Sequence, residues 1–265
     1  MLKTRVITAL LMAAIGLVLV FLAPAPVFAI LVALLLLGLG GRESARLAGY
    51  AETWQALAYA ALLLALAGVW LLAGSPAAQP MLGAAAALWL ALIWWLTRPQ
   101  AGHRQGVLKL VVLGAVLWTA WLAAITLQQA SPWLVLMLVI IIAAADIGAY
   151  FTGRSIGGPK LAPAISPGKT ISGAIGGVLA AAAVAAGAAL AVPQAPFSPA
   201  PAALIAILLA LLSIGGDLFI SLLKRQRGLK DTSALLPGHG GILDRFDSLA
   251  AALPFFALAW LWWGQ

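Results

Sequence analysis

Five aspartates in this chain lie within or beside long apolar runs, where carboxylates are costly. Asp146 follows the run IIAAA, and Asp217 lies inside LLSIGGDLFISLL; Asp231, Asp244 and Asp247 lie in or just after the polar stretch that comes next. A carboxylate within a membrane helix costs about 2.5–3.5 kcal/mol on insertion scales, so it needs a partner or a function. A salt bridge to a nearby Lys or Arg explains Asp146 as well as a functional role does. The grouping of Asp217, Asp244 and Asp247 favours function.

The spacing of these residues brings carboxylates from two helices to one site. Asp217, Ser221 and Lys224 are separated by four and three residues, so they share one face of a helix. Asp244 and Asp247 are three residues apart and also share a face, if a helix begins immediately before them. The chain has no cysteine. Clustered aspartates without Cys or His partners suit a hard cation such as Mg²⁺.

Basic residues and glycines surround these aspartates. Gly238, Gly240 and Gly241 flank His239 in the same polar stretch. Carboxylates, cations and glycines together can bind a metal-bound polyphosphate, since Lys and Arg hold oxygens that the cation leaves free and Gly amides can approach closely. Residue types alone therefore predict phosphate chemistry. The basic residues are Lys224, Arg225, Arg227, Lys230 and Arg245.

Membrane helices must position this site, because the chain is 64% hydrophobic and only 8% charged. Soluble domains carry about 25% charged residues. Long apolar runs without alternation indicate helices rather than a barrel. We predict an all-α polytopic fold with about nine transmembrane helices, of roughly 20 apolar residues each. The segments are Val6–Leu22, Val27–Gly40, Trp54–Ala73, Met81–Leu96, Val107–Leu127, Pro132–Phe151, Ile171–Val192, Ala202–Leu223 and Phe246–Trp263.

Charged residues fall on alternate connections between these segments or at the adjoining helix ends, and the other connections carry none. The positive-inside rule makes the charged side cytoplasmic, with the N-terminus inside and the C-terminus in the periplasm. We therefore expect a multi-pass inner-membrane protein with its site facing the cytoplasm and the first segment retained. The net charge of +8 serves topology in this arrangement, so we expect no nucleic-acid partner. The Gly173/Gly177 pair predicts close helix packing, within the chain or in a homodimer.

The polar stretch SLLKRQRGLKDTSALLPGHGGILDRFD, residues 221–247, strongly resembles the signature of the phosphatidate cytidylyltransferases, the CDP-diacylglycerol synthases. DIGAYFTGRSIGGPKLAPAISPGKT, from Asp146, and the pair Gly216-Asp217 also resemble that family. The resemblance covers about the C-terminal half, so we divide the chain into N-terminal helices, residues 1–130, and a catalytic region, residues 131–265. It implies a nucleotidyltransferase of phospholipid biosynthesis that condenses CTP with phosphatidic acid, giving CDP-diacylglycerol and pyrophosphate.

The same resemblance implies roles for particular residues. Asp217, Asp244, Lys224 and Arg245 are the expected catalytic residues. Asp217, Asp244 and Asp247 are the expected ligands of Mg²⁺, with or without a second cation. The expected substrate-binding residues are Ser221, Arg225, Lys230, Asp231, His239, Gly240, Gly241, Lys160, Lys169 and Asp146, with Lys160 and Lys169 on the lipid phosphate.

Two alternative functions use the same residues. A CTP-dependent kinase of a polyprenol or phytol would transfer the γ-phosphoryl group and release CDP. A transporter would also carry intramembrane aspartates, but transporter sites lie near the bilayer midplane, whereas these aspartates gather at one face.

Overall fold

Helices make up most of the part of the chain that the structure, a computed structural model, describes: residues 2–74, 78–192 and 195–264. Within these residues, seven helices are long and apolar enough to cross a membrane by length and composition, and Val6–Leu22 and Gln79–Trp95 are shorter apolar helices. The all-α polytopic prediction is confirmed. The helices are α1 Leu2–Leu22, α2 Ala25–Ala48, α3 Thr53–Leu72, α4 Gln79–Trp95, α5 Gly106–Ala130, α6 Pro132–Ile156, α7 Ile171–Ala191, α8 Pro199–Gln226 and α9 Leu243–Trp263.

Helix α2 is longer than the sequence predicts, and this matters for the site. Arg42, Glu43 and Arg46 were expected in a connecting loop, but the helix continues through them to Ala48 and ends at Gly49, whose φ is 109°. The loop assignment was wrong because charge was taken as the end of the helix. After its first glycine, the run GRESARLA contains no residue that breaks a helix. A π-helical stretch, Leu34–Gly40, precedes this last part of α2.

The connection after α6 contains a short β-hairpin. Strands β1, Lys160–Ala162, and β2, Ser166–Thr170, are antiparallel, with Lys160 opposite Thr170. The sequence predicts only that residues 152–170 are not simply a helix, because its glycines and prolines hide any alternation. The first residues of that range still belong to α6, and the hairpin then leads directly into α7.

Small residues allow the helices around the site to approach closely. A Cβ on Gly173 would lie 2.9 Å from the backbone oxygen of Ala149, and one on Gly177 would lie 2.6 Å from that of Ala145. The Gly173/Gly177 pair therefore packs α7 against α6 within the chain. Gly216 plays the same part between α8 and α9, since a Cβ there would lie 2.9 Å from the Cβ of Ala251.

Side-chain contacts join the charged connections at one end of the bundle. The Oγ1 atom of Thr8 in α1 donates to the backbone oxygen of Pro237 at 3.3 Å, and Nε2 of Gln226 donates to that of Pro99 at 2.7 Å. Nε of Arg225 donates to the backbone oxygen of Ile165 in the hairpin at 3.3 Å. This end, formed by residues 42–52, 97–105, 157–170 and 227–242, is called the polar end below. The contacts agree with the prediction that the charges gather on one side.

Candidate active site

Helix α8 delivers one face of the site, as its spacing predicts. The Oγ atom of Ser221 donates to Oδ1 of Asp217 at 3.1 Å, across one helical turn. Asp217 also forms an ion pair with Lys169, the penultimate residue of β2. One turn beyond Ser221, Nζ of Lys224 donates to Oδ1 of Asp244 at 2.7 Å, across to α9. The hairpin, α8 and α9 are thus tied together through two lysine–aspartate pairs.

The carboxylate of Asp244 is held on every side. Its Oδ2 atom accepts from the backbone nitrogen of Thr232 at 2.8 Å, from Oγ1 of Thr232 at 2.9 Å and from the backbone nitrogen of Gly241 at 2.9 Å. With Lys224 on Oδ1, the side chain is only 4% exposed. Charge-assisted bonds of this kind are about twice as strong as neutral ones. Asp244 therefore fixes the position of the Lys224 ammonium group relative to the loop.

Glu43 is a site residue that the sequence interpretation missed. It is 3% exposed, and its carboxylate reaches from α2 into the polar stretch. Its Oε1 atom accepts from Oγ of Ser233 at 2.7 Å and from the backbone nitrogen of Ile242 at 3.0 Å. Its Oε2 atom accepts from Oγ1 of Thr232 at 2.8 Å and from the backbone nitrogen of Leu243 at 2.8 Å. The signal was present, since Glu43 is one of only seven acidic residues, but its charge was assigned to topology.

The hydroxyl group of Thr232 lies between two carboxylates. Oγ1 is 2.8 Å from Oε2 of Glu43 and 2.9 Å from Oδ2 of Asp244. A hydroxyl group carries one hydrogen, so it donates to only one of these carboxylates at a time. Thr232 thus links the two acidic groups directly, and it was overlooked because it stands between the more conspicuous Asp231 and Ser233.

Gly240 and Gly241 let the loop pass between these carboxylates. A Cβ on Gly240, whose φ is 82°, would lie 2.7 Å from Oδ2 of Asp244. A Cβ on Gly241 would overlap the Oγ1 atom of Thr232 and both carboxylate oxygens of Glu43. Glycine is therefore required at both positions by packing, because a side chain there would collide with the neighbouring carboxylates. The contact of these glycines with a substrate phosphate stays a prediction.

Five aspartates line one polar cavity of about 410 Å³ with Lys224 and Arg245. Asp217 comes from α8 and Asp146 from α6, and the buried Asp247 comes from α9, where Ser248 donates its backbone N–H to Oδ1 at 2.7 Å. The structure therefore brings together carboxylates that lie 101 positions apart. Asp231 and Asp244 also line this cavity.

A second cavity of about 490 Å³ adjoins the first. Asp146 and Asp217 line both cavities, so these side chains stand where the two meet. Most of the remaining lining comes from the hairpin and its flanking glycines and from small residues of α6 and α7, and α8 adds Ser213 and Ile214. Lys160 and Lys169 lie on its hairpin side, and Arg154 lies at its α6 side. Two cationic residues predicted for the lipid phosphate thus share one cavity.

The other predicted residues lie around these cavities rather than in their walls. Arg225 donates to backbone oxygens of Ile165 and Leu229 and so braces the hairpin. Lys230 is exposed. His239 belongs to a tight turn in which its backbone nitrogen donates to the oxygen of Leu236 at 2.9 Å. Among the described residues, none of these three lines either cavity.

The carboxylates of the polar cavity are the oxygen ligands that Mg²⁺ prefers. Asp217 and Asp247 face this cavity from two helices, which fits a cation held between them. The oxygens of Asp244 already accept from Lys224 and from the loop. No group of three or more acidic or histidine side chains stands ready to hold a metal within the described ranges. Asp217 is engaged too, by Ser221 and Lys169, so the metal-ligand role of these aspartates stays a prediction.

Comparisons with known proteins identify the family of this chain. The family model described as "Cytidylyltransferase family" matches residues 3–262. A phosphatidate cytidylyltransferase of Pseudomonas aeruginosa is 42% identical over 282 aligned residues, covering 100% of this chain and 99% of that protein. One from Haemophilus influenzae is 44% identical over 47% of this chain and 44% of its own length, and one from Bacillus subtilis is 45% identical over 44% and 43%. The chain therefore belongs to the cytidylyltransferase family and, within it, to the phosphatidate cytidylyltransferases.

Proposed function

We propose that this nucleotidyltransferase condenses CTP with phosphatidic acid in the polar cavity, producing CDP-diacylglycerol and pyrophosphate at the cytoplasmic face of a bacterial inner membrane. One observation carries the proposal: Asp146 and Asp217 line both the polar cavity and the adjoining cavity of the hairpin. A water-soluble nucleotide and a lipid phosphate held in neighbouring cavities would meet at these residues.

The reaction needs charge neutralisation more than proton transfer. A phosphate monoester has a second pKa of about 6, so phosphatidic acid is largely ionised at neutral pH. Its oxygen attacks the α-phosphorus of CTP, and the bond between that phosphorus and the bridging oxygen to the β-phosphate breaks to release pyrophosphate. Lys224 and Arg245 line the polar cavity and would hold the phosphates of CTP against mutual repulsion.

Asp217 and Asp247 would hold Mg²⁺ on the wall of the polar cavity. A bound magnesium ion would neutralise charge on the CTP phosphates. Asp244 keeps Lys224 extended towards the cavity, because the carboxylate itself is anchored by the loop. Asp146 and Asp231 complete the acidic wall of this cavity and would help to orient a bound cation.

The adjoining cavity would hold the lipid phosphate. Lys160 and Lys169 supply the positive charge there, and the small residues of α6 and α7 leave room for the glycerol backbone. Lys169 also pairs with Asp217. Its ammonium group could therefore exchange this carboxylate for the lipid phosphate within the same cavity.

The cytoplasmic assignment follows from charge. Basic residues at the polar end, such as Arg42, Arg98 and Arg227, lie in or beside short connections, and the positive-inside rule then supports a cytoplasmic location for this end. CTP is a cytoplasmic nucleotide, so the site would face its source.

A product assay tests the proposal. Purified protein in detergent with CTP, phosphatidic acid and Mg²⁺ should release pyrophosphate and form CDP-diacylglycerol in equal amounts. Lys160→Met should raise the KM for phosphatidic acid by about 10- to 100-fold and leave the KM for CTP unchanged, because one charge-assisted bond is worth about 1.5–3 kcal/mol. Release of CDP instead of pyrophosphate would show a lipid kinase and contradict the proposal.

A further inference from the structure

We propose that Glu43 is a positioning residue of the reaction, acting from the N-terminal half of the chain on the carboxylate of Asp244. The proposal rests on the proposed function, because it concerns the same polar cavity. It assigns Glu43 the task of holding the loop 232–243 so that Asp244 and Lys224 keep their place at the cavity wall.

The environment of Glu43 shows that its charge is used for hydrogen bonding within the loop. The residue is 3% exposed, and the ion pairs found in the described part of the chain, Lys169–Asp217 and Lys224–Asp244, do not include it. Four donors from the loop serve its two oxygens instead. Burying a carboxylate costs several kcal/mol unless such bonds replace water.

A helix cap alone does not require this arrangement. Helix N-termini are ordinarily capped by a local Ser, Thr, Asp or Asn at the N-cap position. Here the N-cap is Ile242, which cannot accept a hydrogen bond through its side chain, and the acceptor comes from 199 positions away. The same carboxylate also accepts hydrogen bonds from the hydroxyl groups of Thr232 and Ser233, which lie ten and nine residues before that N-cap. Glu43 therefore gathers both ends of the loop at one point.

The contacts run from Glu43 to the cavity without a gap. Two loop residues, Thr232 and Gly241, donate to Asp244 through their backbone N–H groups. Each of them either contacts Glu43 itself or is followed by a residue that does. The hydroxyl group of Thr232 lies within hydrogen-bond distance of both carboxylates, and Gly241 precedes Ile242, whose N–H donates to Glu43. Asp244 in turn accepts from Lys224 at 2.7 Å. Loosening of the loop would therefore displace Asp244 and, with it, the ammonium group of Lys224 at the cavity wall.

Glu43→Gln disturbs this network with little change of size. Each oxygen of Glu43 accepts one backbone N–H and one hydroxyl group. The amide NH₂ of Gln is a donor, so in either orientation it faces a backbone N–H of Ile242 or Leu243. A hydroxyl group can turn to accept from the amide, but a backbone N–H cannot. At least one loop bond is therefore lost.

The experiment compares Glu43→Gln with Glu52→Gln, an exposed glutamate at the same end of the bundle. Groups that orient the residues of a site typically contribute 10–100-fold in affinity or activity. We expect Glu43→Gln to lower kcat about 10- to 100-fold and to raise the KM for CTP, with the KM for phosphatidic acid unchanged. CTP should also protect this variant less against thermal unfolding in detergent. Glu52→Gln should match the unsubstituted protein in every measurement.

A purely structural role for Glu43 predicts a different result. It would reduce the amount of folded protein, so the rate per milligram would fall while the KM for CTP and the protection by CTP of the folded fraction stayed unchanged. That outcome would overturn the proposal. Thr232→Ser, which keeps the bridging hydroxyl group, should retain the KM for CTP, whereas Thr232→Val should raise it; equal KM values for both would also contradict the proposal. If the unsubstituted protein and Glu52→Gln release no pyrophosphate, the proposed function itself fails.

Discussion

Replacing Asp244 by Asn separates the charge of this side chain from its contacts with the loop. The carbonyl oxygen of Asn can occupy the position of Oδ2 and keep the bonds from Thr232 and Gly241. The amide NH₂ then faces Nζ of Lys224, which now donates to Oδ1 at 2.7 Å. The opposite orientation would place NH₂ against two backbone N–H groups, so the first orientation is favoured.

The structure sets the size of the effect. The side chains of Lys224 and Asp244 are 10% and 4% exposed, so this pair is largely shielded from water. Removing one partner of a buried pair costs about 3–5 kcal/mol, because the other charge stays buried without a partner. We expect Asp244→Asn to lower the free energy of unfolding by about that amount. We also expect kcat/KM to fall at least about 100-fold, as for loss of a group that stabilises phosphate charge.

The assay measures pyrophosphate release over a range of Mg²⁺ and CTP concentrations, with thermal unfolding of the same samples. The matched control is the double variant Asp244→Asn with Lys224→Met. It should be no less stable than the single variant, because the unpaired ammonium group is gone.

Two results would refute this reasoning. Near-normal turnover of Asp244→Asn at ordinary Mg²⁺ would remove Asp244 from the catalytic group. An unchanged unfolding temperature would show that the bond to Lys224 contributes nothing to stability. The concentration dependence also separates two roles: a half-saturating Mg²⁺ concentration that rises indicates a metal ligand, whereas a rise in the KM for CTP alone indicates an anchor for Lys224.

Further substitutions test the cavity and the loop. Asp217→Asn should reduce turnover at least about 100-fold and raise the half-saturating Mg²⁺ concentration. Ser221→Ala should cost about 10-fold, which matches the lower end of the roughly 1.5–3 kcal/mol for a hydrogen bond to a charged group, because the carboxylate of Asp217 keeps its charge; equal losses would contradict the ligand role. Gly241→Ala should abolish turnover in the folded protein, because the added Cβ would overlap Thr232. The control is Gly83→Ala in α4, which has open space around it and should be active. An active Gly241→Ala would contradict the loop geometry. Chelation of divalent cations should stop pyrophosphate release, and added Mg²⁺ should restore it; full turnover in the chelator would remove the metal from the mechanism.

The amino-acid sequence alone predicted the helical membrane fold and several of the residues that the structure brings together in the two cavities. Composition forces the apolar runs into helices, since lipid offers the backbone no hydrogen bonds. Helical spacing correctly placed Asp217 and Ser221 on one face, because that relation depends only on local geometry. The signature at residues 221–247 predicted the family, which the comparisons confirm.

Only the tertiary structure showed how distant parts of the chain complete the site. Helical periodicity says nothing about which helices meet, so the sequence could not show that Glu43 of α2 bonds Thr232, 189 positions away. Nor could it show that Lys169 pairs with Asp217 or that Asp146 lines both cavities. These relations depend on how closely small residues such as Gly216 let the helices pack, and that distance is a property of the folded bundle.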